Sequence, residues 1–167
     1  LTYLCATIVY SLFIKRKLLI DVMTLAALYT LRIGAGALAA GVMLSHWLLA
    51  FSMFFFLSLA FAKRFIELGR HQNGKEHRVS GRGYYTGDSE LVGVVGVACG
   101  CLAVLVFCMY ISSDAVTQLY QHPMVLWFGC FVLFYWLMRV WFLVWRGLLQ
   151  DDPVLFAITD PNSYVAG

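Results

Sequence analysis

Four stretches of this chain are long, apolar and almost free of charge: Ile20–Met43, Trp47–Ala62, Leu91–Ile111 and Met124–Trp145. Only Asp21, Arg32 and Arg139 interrupt them. A helix needs about twenty apolar residues to cross the hydrocarbon core of a bilayer. Inside lipid, helices and closed barrels are the structures that satisfy their own backbone groups, and uninterrupted runs of this length suit helices. The second run, the shortest, extends as helix through Leu68, because Lys63 and Arg64 then face Glu67 at i,i+4 and i,i+3. Composition agrees: 62% of the residues are hydrophobic and 13% charged, where a soluble domain carries roughly a quarter charged. A water-soluble globular domain is excluded. The expected fold class is all-α, a polytopic transmembrane helical bundle with four complete spans.

A further apolar run, Thr2–Ile14, stands before them and is too short to cross a membrane. It lacks the basic flank of a signal peptide, so it reads as the end of a truncated N-terminal span and the sequence as a fragment. The whole of 1–167 is then part of one transmembrane domain.

Between the second and third of these runs lies a polar island, Lys63–Glu90. It holds Lys63, Arg64, Arg70, Lys75, Arg78 and Arg82, six of the twelve Lys and Arg residues, with Glu67, Glu76 and Asp88 among them. Lys15, Arg16, Lys17 and Arg146 are the other basic residues outside the spans. An up-and-down path puts all of these on one side, while 44–46 and 112–123 on the other side carry no Lys or Arg. The positive-inside rule makes the basic side cytoplasmic. The expected location is the cell membrane, inner or plasma, in multi-pass form.

Some residues have a cost that needs an explanation. An Arg at mid-bilayer costs about 2.5–3.5 kcal/mol on insertion scales. Asp21 and Arg32 are eleven residues apart, on nearly one helical face and about 16 Å apart along the axis. They are expected to line one polar cleft from mouth to depth, with Arg32 facing the interior of the bundle. Arg139 lies about 10 Å from Arg146 and either lines the same cavity or snorkels. For the island, a solvated basic loop held by lipid headgroups competes with a phosphate site in which Lys and Arg sit beside flexible glycines.

The five cysteines all fall in apolar runs and show no disulfide or zinc spacing; Cys99-Gly100-Cys101 reads as span. Trp47 and Trp127 fall near the outer ends of their spans, and Trp141 and Trp145 near the inner end, as interfacial aromatics do. Gly34, Ala37 and Gly41, with Gly36 and Ala40, allow close helix contact in the Ile20–Met43 span.

Four segments in this order resemble the UbiA superfamily of intramembrane transferases. They are Tyr10-Ser11 followed by Lys15-Arg16; Leu31-Arg32-x-x-Ala35-Gly36-Ala37; Lys63-Arg64-x-x-Glu67-Leu68; and Asp152-Pro153-Val154-x-Phe156-Ala157-x-x-Asp160. The likeness is greatest to the branch of decaprenyl-phosphate phosphoribosyltransferases. It implies a bundle of about nine spans of which this chain is the later half, and a Mg²⁺-dependent transfer in a cavity open to cytoplasm and lipid. The donor would be phosphoribosyl pyrophosphate and the acceptor a polyprenyl phosphate. In most of the superfamily a polyprenyl diphosphate instead prenylates an acceptor, often aromatic. The family's first Asp-rich motif would lie before Leu1, and its second is not intact, with Glu67, Asp88 and Glu90 lacking D-x-x-x-D spacing.

On that resemblance, Lys63 and Glu67 are the candidate catalytic residues. Lys15, Arg16, Arg32, Arg64, Tyr10 and Arg139 are candidates for binding phosphate or diphosphate or for lining the cavity. Asp88 is the candidate metal ligand for Mg²⁺. The implied partners are the lipid bilayer, a polyprenyl phosphate or diphosphate, and a small phosphorylated donor or aromatic acceptor, with no nucleic acid. Two other classes stay open on the residues alone. A transporter or channel subunit would put Arg32 and Arg139 on an ion path, and a structural subunit would tolerate scrambling of the island.

Overall fold

The computed structural model describes residues 19–41, 45–72, 86–113 and 124–149. These form four helices: α1 (Ile20–Ala39), α2 (His46–Gln72), α3 (Ser89–Ile111) and α4 (Met124–Trp145). A 3-10 turn, Thr86–Asp88, leads into α3. All four helices are long and apolar enough to cross a membrane, so the expected all-helical, multi-span class stands. The truncated span 2–14 lies outside the described residues.

The helices depart from the apolar runs at their ends. The α1 helix stops at Ala39, and Gly41 takes a left-handed φ of 67° just beyond it. The α2 helix continues ten residues past Ala62 to Gln72, carrying Lys63, Arg64 and Glu67 on regular helix. After α4, Gly147 (φ 67°) donates to the Val144 carbonyl and Leu148 N–H reaches back to Leu143 O at 3.0 Å. This is the six-to-one closure that only a left-handed residue permits, and glycine supplies it without a Cβ clash.

Each helix packs on the next, α1 on α2, α2 on α3 and α3 on α4, with α4 also touching α2. The core is concentrated where α2, α3 and α4 meet. Gly93, Gly96 and Gly100 form one stripe of α3 there, and each has a neighbour where its Cβ would be. A methyl on Gly93 would stand 2.7 Å from the Trp145 ring and one on Gly100 3.1 Å from Ser58 Oγ, while one on Gly96 would overlap Trp141. The close approach lets Trp141 Nε1 donate to Ser58 Oγ (3.0 Å), which in turn donates to the Gly96 carbonyl (2.8 Å). Phe65 completes the cluster, stacked on Trp145 at 5.0 Å and edge-on to Trp141.

One sequence expectation is corrected here. Trp141 is not an interfacial anchor. It is 3% exposed, because the glycine stripe opens a slot for its ring, whereas Trp145 is 55% exposed. The close glycine contacts among the described residues lie on α3. No described atom comes within 4 Å of a Cβ built on Gly36 or Gly41, whereas α3 presents glycines to two helices at once. Large apolar side chains such as Phe128, Phe131 and Leu38 point away from the core, 70–75% exposed. That is how a bundle solvated by lipid differs from a soluble one.

Candidate functional site

The up-and-down path brings the start of α1, the end of α2, the start of α3 and the end of α4 to one end of the bundle. Asp21, Lys63, Arg64, Glu67, Asp88, Glu90 and Arg146 all belong to that end. The 3-10 turn bearing Asp88 packs on both α2 and α3. Among the described residues, the opposite end carries no Lys, Arg, Asp or Glu.

At the centre of the charged end stands Arg64, 2% exposed. Its Nε lies 2.5 Å from Asp21 Oδ2, and its Nη1 donates to Glu67 Oε2 at 2.6 Å. The Asp21 contact is an ion pair in which the Nε–H does not point along the line to the oxygen. Asp21 is completely buried and Glu67 25% exposed. A planar guanidinium bridges two carboxylates from two helices in a way that an ammonium does not. A charge this deeply buried has to be paired, and Arg64 is paired on both sides. Lys63, one residue earlier and about 100° around the helix, is half-buried.

The structure places the other expected site residues as follows. Asp88 is half-buried at the N-terminal boundary of α3, and Glu90 is exposed. Arg139 is half-buried in the last third of α4. Tyr10, Lys15 and Arg16 lie outside the described residues, as do the remainder of the basic island from 73 to 85 and the tail from 150. Among the described residues, Asp21 and Arg32 do not share a cleft. The helical phase is as expected, since Asp21, Leu28 and Arg32 lie on one flank of α1. That flank is covered at Asp21 and Leu28 and open at Arg32, which is exposed, its guanidinium 6.0 Å from the Tyr29 ring centroid. Every buried residue of α1 falls between Asp21 and Leu28, so depth along the axis did not translate into burial in the bundle.

The sequence argument missed the pairing of Asp21 with Arg64. The signal was available in the topology, since one residue opens α1 and the other lies near the end of α2. As a magnesium site the described residues do not suffice. No three His, Cys, Asp or Glu side chains converge among them, and Asp21 and Glu67 are both turned to a cation already present.

The chain is similar over almost its whole length to two longer bacterial proteins. It is 38% identical over 166 residues to a Sinorhizobium fredii protein titled uncharacterized protein y4nM, covering 99% of this chain and 32% of that one. It is 32% identical over 164 residues to the nodulation protein NoeC of Azorhizobium caulinodans, covering 98% of this chain and 53% of that one. The chain therefore spans about half or less of the curated relatives it matches. No family model matches it, and no solved structure does.

Proposed function

We propose that this chain is part of a membrane transferase that handles a phosphorylated polyprenyl lipid at the charged end of the bundle. The most direct version transfers a phosphoribosyl group from phosphoribosyl pyrophosphate to a polyprenyl phosphate. The observation that carries this is the position of Lys63, Arg64 and Glu67. They continue α2 past its apolar run as helix and stand with Asp21 and the Asp88 turn at one end of four apolar helices. An amphiphile with a long apolar tail and a phosphate head needs such a place, with lipid-facing helices below and fixed cations at the rim. The names of the relatives specify no substrate, so the proposal rests on these residues and on the likeness of their motifs to the UbiA superfamily.

In this reaction a phosphate oxygen of the acceptor lipid attacks C1 of the donor ribose. The bond from C1 to the diphosphate oxygen breaks, and diphosphate leaves with the electron pair. Charge builds on the departing oxygens, and fixed cations aimed there lower the barrier. Lys63 is the described residue for that task, and the apolar helices keep water from the cationic carbon. Mg²⁺, which the family likeness implies, would further neutralise the diphosphate, and no step is assigned to it on the residues described.

The test is direct. Full-length protein in lipid nanodiscs is given decaprenyl phosphate, phosphoribosyl pyrophosphate and Mg²⁺, and the lipid fraction is analysed by mass spectrometry. A decaprenyl phosphate gaining one phosphoribosyl unit, with release of one diphosphate, is the expected product. A folded protein that yields none, and none from a polyprenyl diphosphate with an aromatic acceptor, rules out the transferase.

A further inference from the structure

We infer that Arg64 is a positioning residue, tying α1 to α2 through Asp21 and Glu67 and so fixing the direction in which neighbouring Lys63 meets a phosphate. The inference rests on the phosphate site proposed above, and it divides two adjacent cations that the sequence treats alike.

Burial argues this first. Arg64 is 2% exposed and Asp21 completely buried, so a phosphate reaching that guanidinium would have to part α1 from α2. Occupancy argues it second. Arg64 already holds a carboxylate from each helix, at 2.5 and 2.6 Å. A diphosphate would compete with both while standing beside their negative charge. Geometry argues it third. Residues 63 and 64 are about 100° apart on the helix, so clamping Arg64 inward sets the azimuth of Lys63. The Asp21 contact crosses between helices and therefore also fixes how α2 is rotated against α1. Arg64 is suited to this because its fork spans two acceptors.

The inference has a sign that plain electrostatics does not share. Asp21 is an anion near an anion site, so removing its charge should tighten phosphate binding if charge alone matters. If Asp21 acts through Arg64 on Lys63, removing it weakens binding. The experiment measures binding of inorganic diphosphate to full-length protein in nanodiscs by calorimetry, alongside thermal unfolding. Lys63→Met is expected to weaken binding at least tenfold. Asp21→Asn is expected to weaken it roughly fivefold or more. The exchanged pair Asp21→Arg with Arg64→Asp is expected to regain most of the affinity and of the melting temperature lost by Arg64→Asp alone.

Unchanged or tighter binding by a folded Asp21→Asn overturns the inference. So does an exchanged pair that regains its melting temperature but binds as poorly as Lys63→Met, because Arg64 would then be a ligand in its own right. Should Asp21→Asn fail to fold, the exchanged pair decides. Should Lys63→Met bind normally, the phosphate site itself falls, and the inference with it. The two failures are therefore distinguishable by which variant misbehaves.

Discussion

Lys63 and Arg64 are consecutive cations on one helix, yet their surroundings have little in common. Arg64 points into the bundle between two carboxylates, and Lys63 sits half-buried beside it. Truncating them should therefore fail in different ways. Arg64→Met leaves Asp21 buried without its ion pair, and breaking such a pair costs about 3–5 kcal/mol. The melting temperature of the variant in detergent should fall accordingly, and an unchanged value would mean that the pair contributes nothing to the fold. Lys63→Ala leaves the buried Asp21–Arg64 pair in place. It should fold with a near-normal melting temperature and lose turnover by about a hundredfold or more, as expected when a donor to developing charge is deleted. Near-normal turnover in Lys63→Ala would return the cluster to a purely structural role.

At the level of the helices, α3 is the element on which the others are fitted. Its Gly93, Gly96 and Gly100 face the aromatic side chains and Ser58 of α2 and α4, and the Trp141–Ser58–Gly96 hydrogen bonds depend on that approach. Gly96→Leu forces the Trp141 ring out of its slot, an overpacking that costs about 1–3 kcal/mol. Loss of stability with a blue-to-red shift in tryptophan emission would register the displaced ring; a variant with wild-type spectrum and stability would refute the close contact. A second check uses native residues. Cys108 of α3 and Cys130 of α4 lie with their sulfurs 3.3 Å apart, and a disulfide requires about 2.05 Å. Oxidation with copper phenanthroline should join these two, and peptide mapping should find Cys99 and Cys101 unjoined. A different pairing would mean that α3 and α4 are in another register.

The whole molecule is polarised along its helix axes. Among the described residues, the acids and bases at the helix ends gather where α1 begins and α2 finishes, and the spans between are covered with exposed apolar side chains. The positive-inside rule predicts that the basic end faces the cytoplasm. Single cysteines at Ser80 and Ser113, in a protein lacking its native cysteines, should label from opposite faces with an impermeant maleimide. Labelling of both from outside would require a different path for the chain.

The four complete spans were legible in the sequence because apolar length is a local property, and so was the gathering of the described helix-end Lys and Arg residues at one end, which follows from alternation of direction. The extension of α2 through Lys63–Glu67 was legible too, through i,i+3 spacing. What the sequence did not reveal is which side chains face each other across helices. Gly36 and Gly96 look alike as letters, but only Gly96 meets a ring. Trp141 and Trp145 sit four residues apart near the end of one helix, and only Trp141 is buried. Arg32 shares a helical face with Asp21, yet the tertiary structure covers one and leaves the other open, and it matches Asp21 with an arginine forty-three residues away. Periodicity fixes the angle of a residue on its own helix; only the packing of the helices decides what that angle looks at.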